Sequence, residues 1–172
     1  MRIIFFGTPQ FAVPSLDALM AAGHDVVAVV TQPDRYRDVG PDRQPGPPIR
    51  PPIKTRALTA GIPVLQPERP RGDEFLAQLR DLKADIGVVV AYGHLLRPDL
   101  LALLPLGFVN VHASLLPRWR GAAPIHWAVL SGDPETGVAI MRMEQGLDTG
   151  AVWLQRRPPI LPTDTAGILF ER

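Results

Sequence analysis

Cysteine is absent from this 172-residue chain, so neither a disulfide framework nor a thiolate metal site is available to it. Histidine is scarce as well. His24, His94, His112 and His126 show no i, i+3 or i, i+4 pairing, which disfavours a His-rich metal site, and no metal is expected. No apolar run approaches the ~20 residues needed to cross a bilayer. The opening Met1-Arg-Ile-Ile-Phe-Phe-Gly7 reads as a strand and turn rather than a signal peptide, so a soluble, cytoplasmic protein is expected. A net charge of +1 does not by itself mark a nucleic-acid binder. The nucleotide signatures are missing too: the first turn, Gly7-Thr-Pro-Gln10, is neither Gly-x-Gly-x-x-Gly nor a P-loop.

What is present is enough for one packed domain, since 46% of the residues are hydrophobic. Apolar strands alternate with helical segments from the start. Strands are expected at Arg2–Phe6, Asp25–Thr31, Val64–Leu65, Ala84–Ala91, residues 107–112, Val138–Met143 and Ala151–Gln155. Helices are expected at Phe11–Ala22, Ile53–Ala60, Asp73–Leu82, Asp99–Leu104 and Ile125–Leu130, with another opening near the end and Thr163 as its N-cap. Continuous Val/Ile runs between helices predict an α/β, Rossmann-like doubly wound and mostly parallel sheet with helices on both faces. Such sheets bind ligands at the carboxyl ends of their strands, where Gly7, Thr31, Ala91 and His112 fall.

Between Gln32 and Pro52 the chain carries seven of its 20 prolines. About 20 residues without secondary structure exceeds the ~12–15 usual inside a compact domain, so this loop is either functional or disordered. Arg35, Arg37, Arg43, Arg50, Lys54 and Arg56 lie in or beside it, against Asp34, Asp38 and Asp42. A solvated loop and a loop meeting an anionic partner both fit that pattern.

The chemistry concentrates in Asn110-Val-His-Ala-Ser-Leu-Leu-Pro-Arg-Trp-Arg-Gly121 and Gly146-Leu-Asp-Thr-Gly150. On a strand, Asn110 and His112 point to one face while Val109 and Val111 point to the other. An amide donor, an imidazole and a carboxylate in the Gly-bounded turn at Asp148 make a set suited to acyl transfer. Taken alone, a strand-end Asn or His is more often a turn former or a satisfied interior group.

These segments, with Ile3-Ile-Phe-Phe-Gly-Thr-Pro-Gln-Phe-Ala12, Val30-Thr-Gln-Pro-Asp-Arg35, Val88-Val-Val-Ala-Tyr-Gly93 and Thr136-Gly-Val-Ala-Ile-Met141, resemble the methionyl-tRNA formyltransferases along the whole chain. The resemblance implies formyl transfer from 10-formyltetrahydrofolate to the α-amine of methionyl initiator tRNA with no metal required, and a monomer is expected. It implies that Asn110 and protonated His112 face the oxyanion, with Asp148 orienting the imidazole, stabilising its charged form and accepting the amine proton directly or through water. Folate contacts are implied for Ala91, Tyr92, Gly93 and His94, for Ser114, Leu115, Leu116 and Pro117, and for Met143, Gly146 and Leu147. For tRNA they are implied at Arg35 and Lys54, and Arg118 and Arg120 are added as candidates because they flank Trp119, an arrangement suited to nucleic acid. Two departures from the family stand out. A C-terminal OB-type tRNA-binding domain is expected to be missing from a catalytic domain of residues 1–172 truncated near its end, and Tyr36-Arg-Asp-Val-Gly-Pro-Asp-Arg43 replaces a Gly-rich basic segment. The alternatives are an amino-sugar-nucleotide formyltransferase, or a folate-binding fragment without full activity.

Overall fold

Arg2–Gly7 forms β1, in which every residue after Arg2 is buried. A strand covered on both sides is written as an unbroken apolar run, as Ile3-Ile-Phe-Phe6 is. Its alternation feeds two cores: Ile4 and Phe6 join one cluster, Ile3 and Phe5 the other. In a computed structural model that describes residues 1–36, 38–39 and 44–172, residues 38–39 and 44–45 by backbone alone, β1 lies third in a seven-stranded sheet, at the centre of its parallel part.

After a 3-10 turn at Gln10–Ala12 come α1 (Val13–Ala21), β2 (Asp25–Val30), the short strands β3 (Asp38–Val39) and β4 (Gln44–Pro45), α2 (Pro52–Thr59) and β5 (Val64–Leu65). Then follow α3 (Asp73–Asp81), β6 (Ile86–Val90), α4 (Pro98–Leu101), β7 (Phe108–His112) and α5 (Pro124–Leu130). The chain closes with β8 (Val138–Arg142), β9 (Val152–Arg156) and α6 (Ala166–Glu171). The large sheet runs β5-β2-β1-β6-β7-β8-β9. Its members from β5 to β7 are parallel, and β8 and β9 add on antiparallel. This is the expected α/β, Rossmann-like, mostly parallel sheet. Because β1 has β2 on one side and β6 on the other, the winding reverses there and opens a crevice at the carboxyl ends of those strands.

Both faces of the parallel part are covered. Phe75, Leu76 and Leu79 of α3 and Leu100 of α4 pack on the side of Phe6 and Phe108. Leu16 of α1 and Ile53 and Ala57 of α2 pack on the side of Phe5 and Val109. β9 departs from the expectation of helices on both faces: Val152, Trp153 and Leu154 are all exposed at the sheet edge.

Three local expectations are corrected. The stretch from Gln32 to Pro52 is not without secondary structure. Arg35 and Ile49 exchange two backbone hydrogen bonds of 3.1 and 2.7 Å, and β3 pairs with β4 beyond them. Arg37, Gly40, Pro41, Asp42 and Arg43 of that loop lie outside the described residues. The helix expected at Asp99–Leu104 is a single turn, Pro98–Leu101. Leu104 precedes Pro105, and a residue before proline is pushed out of the helical region. Finally, the last helix is capped by Thr165 and not Thr163, its Oγ1 accepting from the Ile168 N–H at 3.3 Å. The Asp164 carboxylate accepts the Leu161 N–H at 2.8 Å, which binds Thr163 into the preceding turn. No helix among the described residues is long and apolar enough to cross a membrane.

Candidate active site

Phe108, at the start of β7, faces the cluster containing Phe6, while Val109 and Val111 face the opposite one. Alternation therefore brings Asn110 and His112 to the Phe108 side, pointing together as the sequence predicts. Asp148 reaches them from the turn between β8 and β9. Its Oδ1 accepts from Asn110 Nδ2 at 3.3 Å, and its Oδ2 accepts the Gly121 N–H at 2.8 Å and lies 3.6 Å from His112 Nδ1. The His112 and Asp148 side chains are only 8% and 11% exposed, so the contacts act where water screens little.

The other ring nitrogen of His112 is engaged as well. Nε2 lies 2.9 Å from the carbonyl oxygen of Trp119, an acceptor, so it carries the proton. It follows that Nδ1 holds a proton only in the charged imidazolium. Any hydrogen bond donated from Nδ1 into the crevice is a charged one.

The backbone around these groups is unusual. Ala91, Trp119, Ala123 and Asp148 have φ of 48, 58, 54 and 49°, in the left-handed region that non-glycine residues avoid. Each such residue costs about 1–3 kcal/mol and persists where neighbours hold it. For Asp148 the holders are the Asn110 amide and the Gly121 N–H.

The second wall is the turn after β6. Thr8 Oγ1 and Gln32 Nε2 both donate to the Tyr92 carbonyl, at 2.9 and 3.1 Å. The Tyr92 side chain serves as an anchor below: it is buried, edge-on to Phe6 at 5.4 Å, with its hydroxyl unpartnered among the described residues and its pKa pushed up to about 12 by burial. Ala91 and Gly93 are exposed, and residues 91–95 enter no backbone–backbone hydrogen bond among the described residues. Apart from the Tyr92 carbonyl, their main-chain groups are thus available to a flat polar ligand, as small-molecule sites require. His94 is half-buried, its ring 5.3 Å from that of Tyr92.

The remaining expected residues divide. Met143 is half-buried and bonded through its N–H to the Phe108 carbonyl, while Gly146 and Leu147 are exposed in the Asp148 turn. Ser114 is buried and donates to the Arg118 carbonyl at 2.6 Å. Leu116 packs against Ala139 and Met141, and Leu115 lies against Gly137, so both side chains rest on β8. Pro117 is exposed after a cis Leu116–Pro117 bond.

Among the basic residues, Arg35 and Arg120 are exposed, and Arg35 Nη2 donates to Gln32 Oε1 at 3.1 Å. The Lys54 ammonium sits 2.8 Å from both Asp34 carboxylate oxygens, with both side chains 17% exposed. Its charge is therefore matched within the fold. Lys54, and after it Gln66, hold the Asp34 carboxyl below the usual range. Arg118 is paired bidentately with Asp133, at 2.9 and 2.6 Å.

Gln32, Thr8 and Gly121 have no role in the sequence reading, and Trp119 has one only as the aromatic between two arginines. Gln32 carried a usable signal, a polar side chain just past the carboxyl end of β2. Trp119 and Gly121 act through main-chain atoms, which no residue type announces. A cavity of about 410 Å³ lies beyond the other face of β7, lined by Phe11, Val111, Ala113, Ile125, Leu169 and Phe170 among others, and includes none of Asn110, His112 and Asp148. Among the described residues no group of three or more His, Cys, Asp or Glu is placed to hold a metal ion.

A doubly wound, mostly parallel sheet thus carries an amide, an imidazole and a carboxylate together at its carboxyl edge. The chain belongs to the formyl transferase family, whose profile matches residues 1–172. It is 56% identical over 173 residues to a methionyl-tRNA formyltransferase from Synechococcus sp., covering 100% of this chain and 50% of that protein. A methionyl-tRNA formyltransferase from Pelotomaculum thermopropionicum is 52% identical over 171 residues, covering 99% and 53%. Among solved structures, a phosphoribosylglycinamide formyltransferase from Bacillus halodurans superposes with a TM-score of 0.80 at 25% identity, covering 99% of this chain and 86% of the other. The chain spans about half the length of the curated relatives it matches.

Proposed function

We propose that this protein transfers the formyl group of 10-formyltetrahydrofolate to the α-amine of methionine esterified to initiator tRNA. The observation that carries the reading is the convergence of Asn110 Nδ2 and His112 Nδ1 on one carboxylate, Asp148, at the end of β7. Similarity to methionyl-tRNA formyltransferases over the whole chain supports the choice of acceptor.

In the reaction a neutral amine attacks the formyl carbon. A C–N bond forms to the acceptor, the bond to the folate nitrogen breaks, and negative charge collects transiently on the formyl oxygen. Two donors already directed at an anion suit that charge, and each is worth roughly 3–4 kcal/mol when it meets the oxyanion. Asp148, beside them, takes the proton released by the amine directly or through water and passes it on to the folate nitrogen as that group leaves. Ala91, Gly93 and His94 would meet the folate through main-chain groups, while Met143 and the Gly146-Leu147 turn line the opposite side. Gly121 and Trp119 keep Asp148 and His112 in register. Arg35 and Arg120, both exposed, would meet acceptor phosphates; the proposed contacts at Lys54 and Arg118 have to compete with Asp34 and Asp133.

Formylation of methionyl initiator tRNA by this protein, run beside an amino-sugar nucleotide with the same donor, tests the reading. Formylated tRNA is the expected product. Transfer to the sugar alone would replace the acceptor, and donor binding without transfer to either would reduce the protein to a folate-binding module.

The turn after β6 makes a second expectation. Gly93 has φ +87°, and a Cβ there would collide with Gln32 Nε2. Gly93→Ala should therefore break the Gln32–Tyr92 bond, destabilise the protein by about 1–3 kcal/mol and weaken folate binding. Thermal melts and a fluorescence titration with 10-formyltetrahydrofolate would show it. Wild-type values in both would remove this turn from the folate site.

A further inference from the structure

Asp133 sits in the turn after α5, its N–H bonded to the Ala128 carbonyl at 3.0 Å, and its side chain is only 11% exposed. The carboxylate accepts three hydrogen bonds: from Arg118 Nε at 2.9 Å, Arg118 Nη2 at 2.6 Å and Trp119 Nε1 at 2.7 Å. Arg118, and after it Trp119, hold the Asp133 carboxyl below its usual range, so it stays charged. Nothing in the proposed chemistry accounts for so well supplied an acid.

Its consequence runs through Trp119. That residue has φ +58°, and in this conformation its carbonyl lies 2.9 Å from His112 Nε2. A tryptophan left to itself would relax to negative φ and swing its peptide away from the imidazole. Asp133 prevents this by gripping the indole N–H, and the ring is further confined by stacking on Trp127, centroids 6.1 Å apart and planes 12° from parallel. Arg118 caps the arrangement, its guanidinium 4.4 Å from the Trp119 ring centre, while Ser114 ties the Arg118 carbonyl.

We propose that Asp133 is a positioning residue for His112: it locks Trp119 in the left-handed conformation whose carbonyl holds the Nε2 proton. His112 is then held at both nitrogens, by Asp148 on one side and by Asp133 through Trp119 on the other. Supporting groups of this kind fix a site to the fraction of an ångström that catalysis needs. The proposal rests on the role assigned to His112 in formyl transfer.

Trp119→Phe keeps a ring for Trp127 and removes only the indole donor; Asp133→Ala removes its acceptor. The two variants and their double would be compared by nitrogen-15 NMR of the His112 imidazole in substrate-free protein, and by kcat and donor KM for transfer. Each single variant should speed solvent exchange of the Nε2 proton and lower kcat by ~10-fold or more, with donor KM unchanged. The double should be no worse than the more affected single, since both changes cut the same link. A lowered Tm with the Nε2 proton still protected overturns the proposal, as do effects that add in the double. Should the wild-type protein transfer to no acceptor while the NMR effect appears, the functional reading fails and the clamp on His112 stands.

Discussion

Asn110→Ala is expected to lower kcat about 10²–10³-fold, the usual loss when one oxyanion donor is deleted. The argument is geometric. Asn110 brings its amide to Asp148 at 3.3 Å from the carboxyl end of β7, and the strand, paired on both sides by β6 and β8, holds it there. The side chain is half-buried, and its removal leaves Phe108 and Val109 undisturbed in their clusters. The defect should therefore lie in the chemical step, with donor affinity near wild type and only a small fall in melting temperature, since the Gly121 N–H still holds Asp148. Single-turnover formylation, with a thermal melt as control, measures it. A fall of less than about threefold would remove Asn110 from the oxyanion site.

The largest stability effect is expected at Phe6→Ala, at about 3–5 kcal/mol. Phe6 is fully buried at the end of the central strand, edge-on to Tyr92 at 5.4 Å and to Phe108 at 5.7 Å. It thus touches the residues that seat both walls of the crevice: Tyr92 under the turn after β6, and Phe108 at the root of the strand carrying Asn110 and His112. Truncation forfeits the burial of a large ring and opens a cavity that a seven-stranded sheet cannot collapse around. In a domain of this size the loss should appear as a fall in Tm on the order of 10 °C. Urea unfolding gives the energy directly. A change below about 1 kcal/mol would mean that the ring is not a keystone of this core.

Much of this architecture is written along the chain. The period-two and unbroken apolar runs place the main strands to within one or two residues, because strands buried on both faces leave no room for polar positions. The alternation in Phe-Val-Asn-Val-His puts Asn110 and His112 together without any tertiary knowledge. Helix ends were less legible. Thr163 and Thr165 offer the same cap chemistry, and what separates them is Asp164, which draws the chain into a turn before Ala166. The loop from Gln32 to Pro52 looked irregular because proline hides strand character, yet its arms are joined at Arg35 and Ile49.

The basic residues show the other limit. A lysine and an arginine beside a proposed nucleic-acid site look alike in sequence whether they face solvent or a carboxylate. Lys54 and Arg118 each meet an aspartate far along the chain or across a turn, Asp34 and Asp133, and only folding reveals it. The sequence by itself determined the layered sheet, the family and the three side chains at the crevice, since each follows from local periodicity or a contiguous motif. The tertiary structure alone decided how those side chains are held. Asp148 is gripped by the Gly121 N–H and His112 by the Trp119 carbonyl. Main-chain atoms are common to all residues, and their direction depends on backbone angles that distant contacts impose.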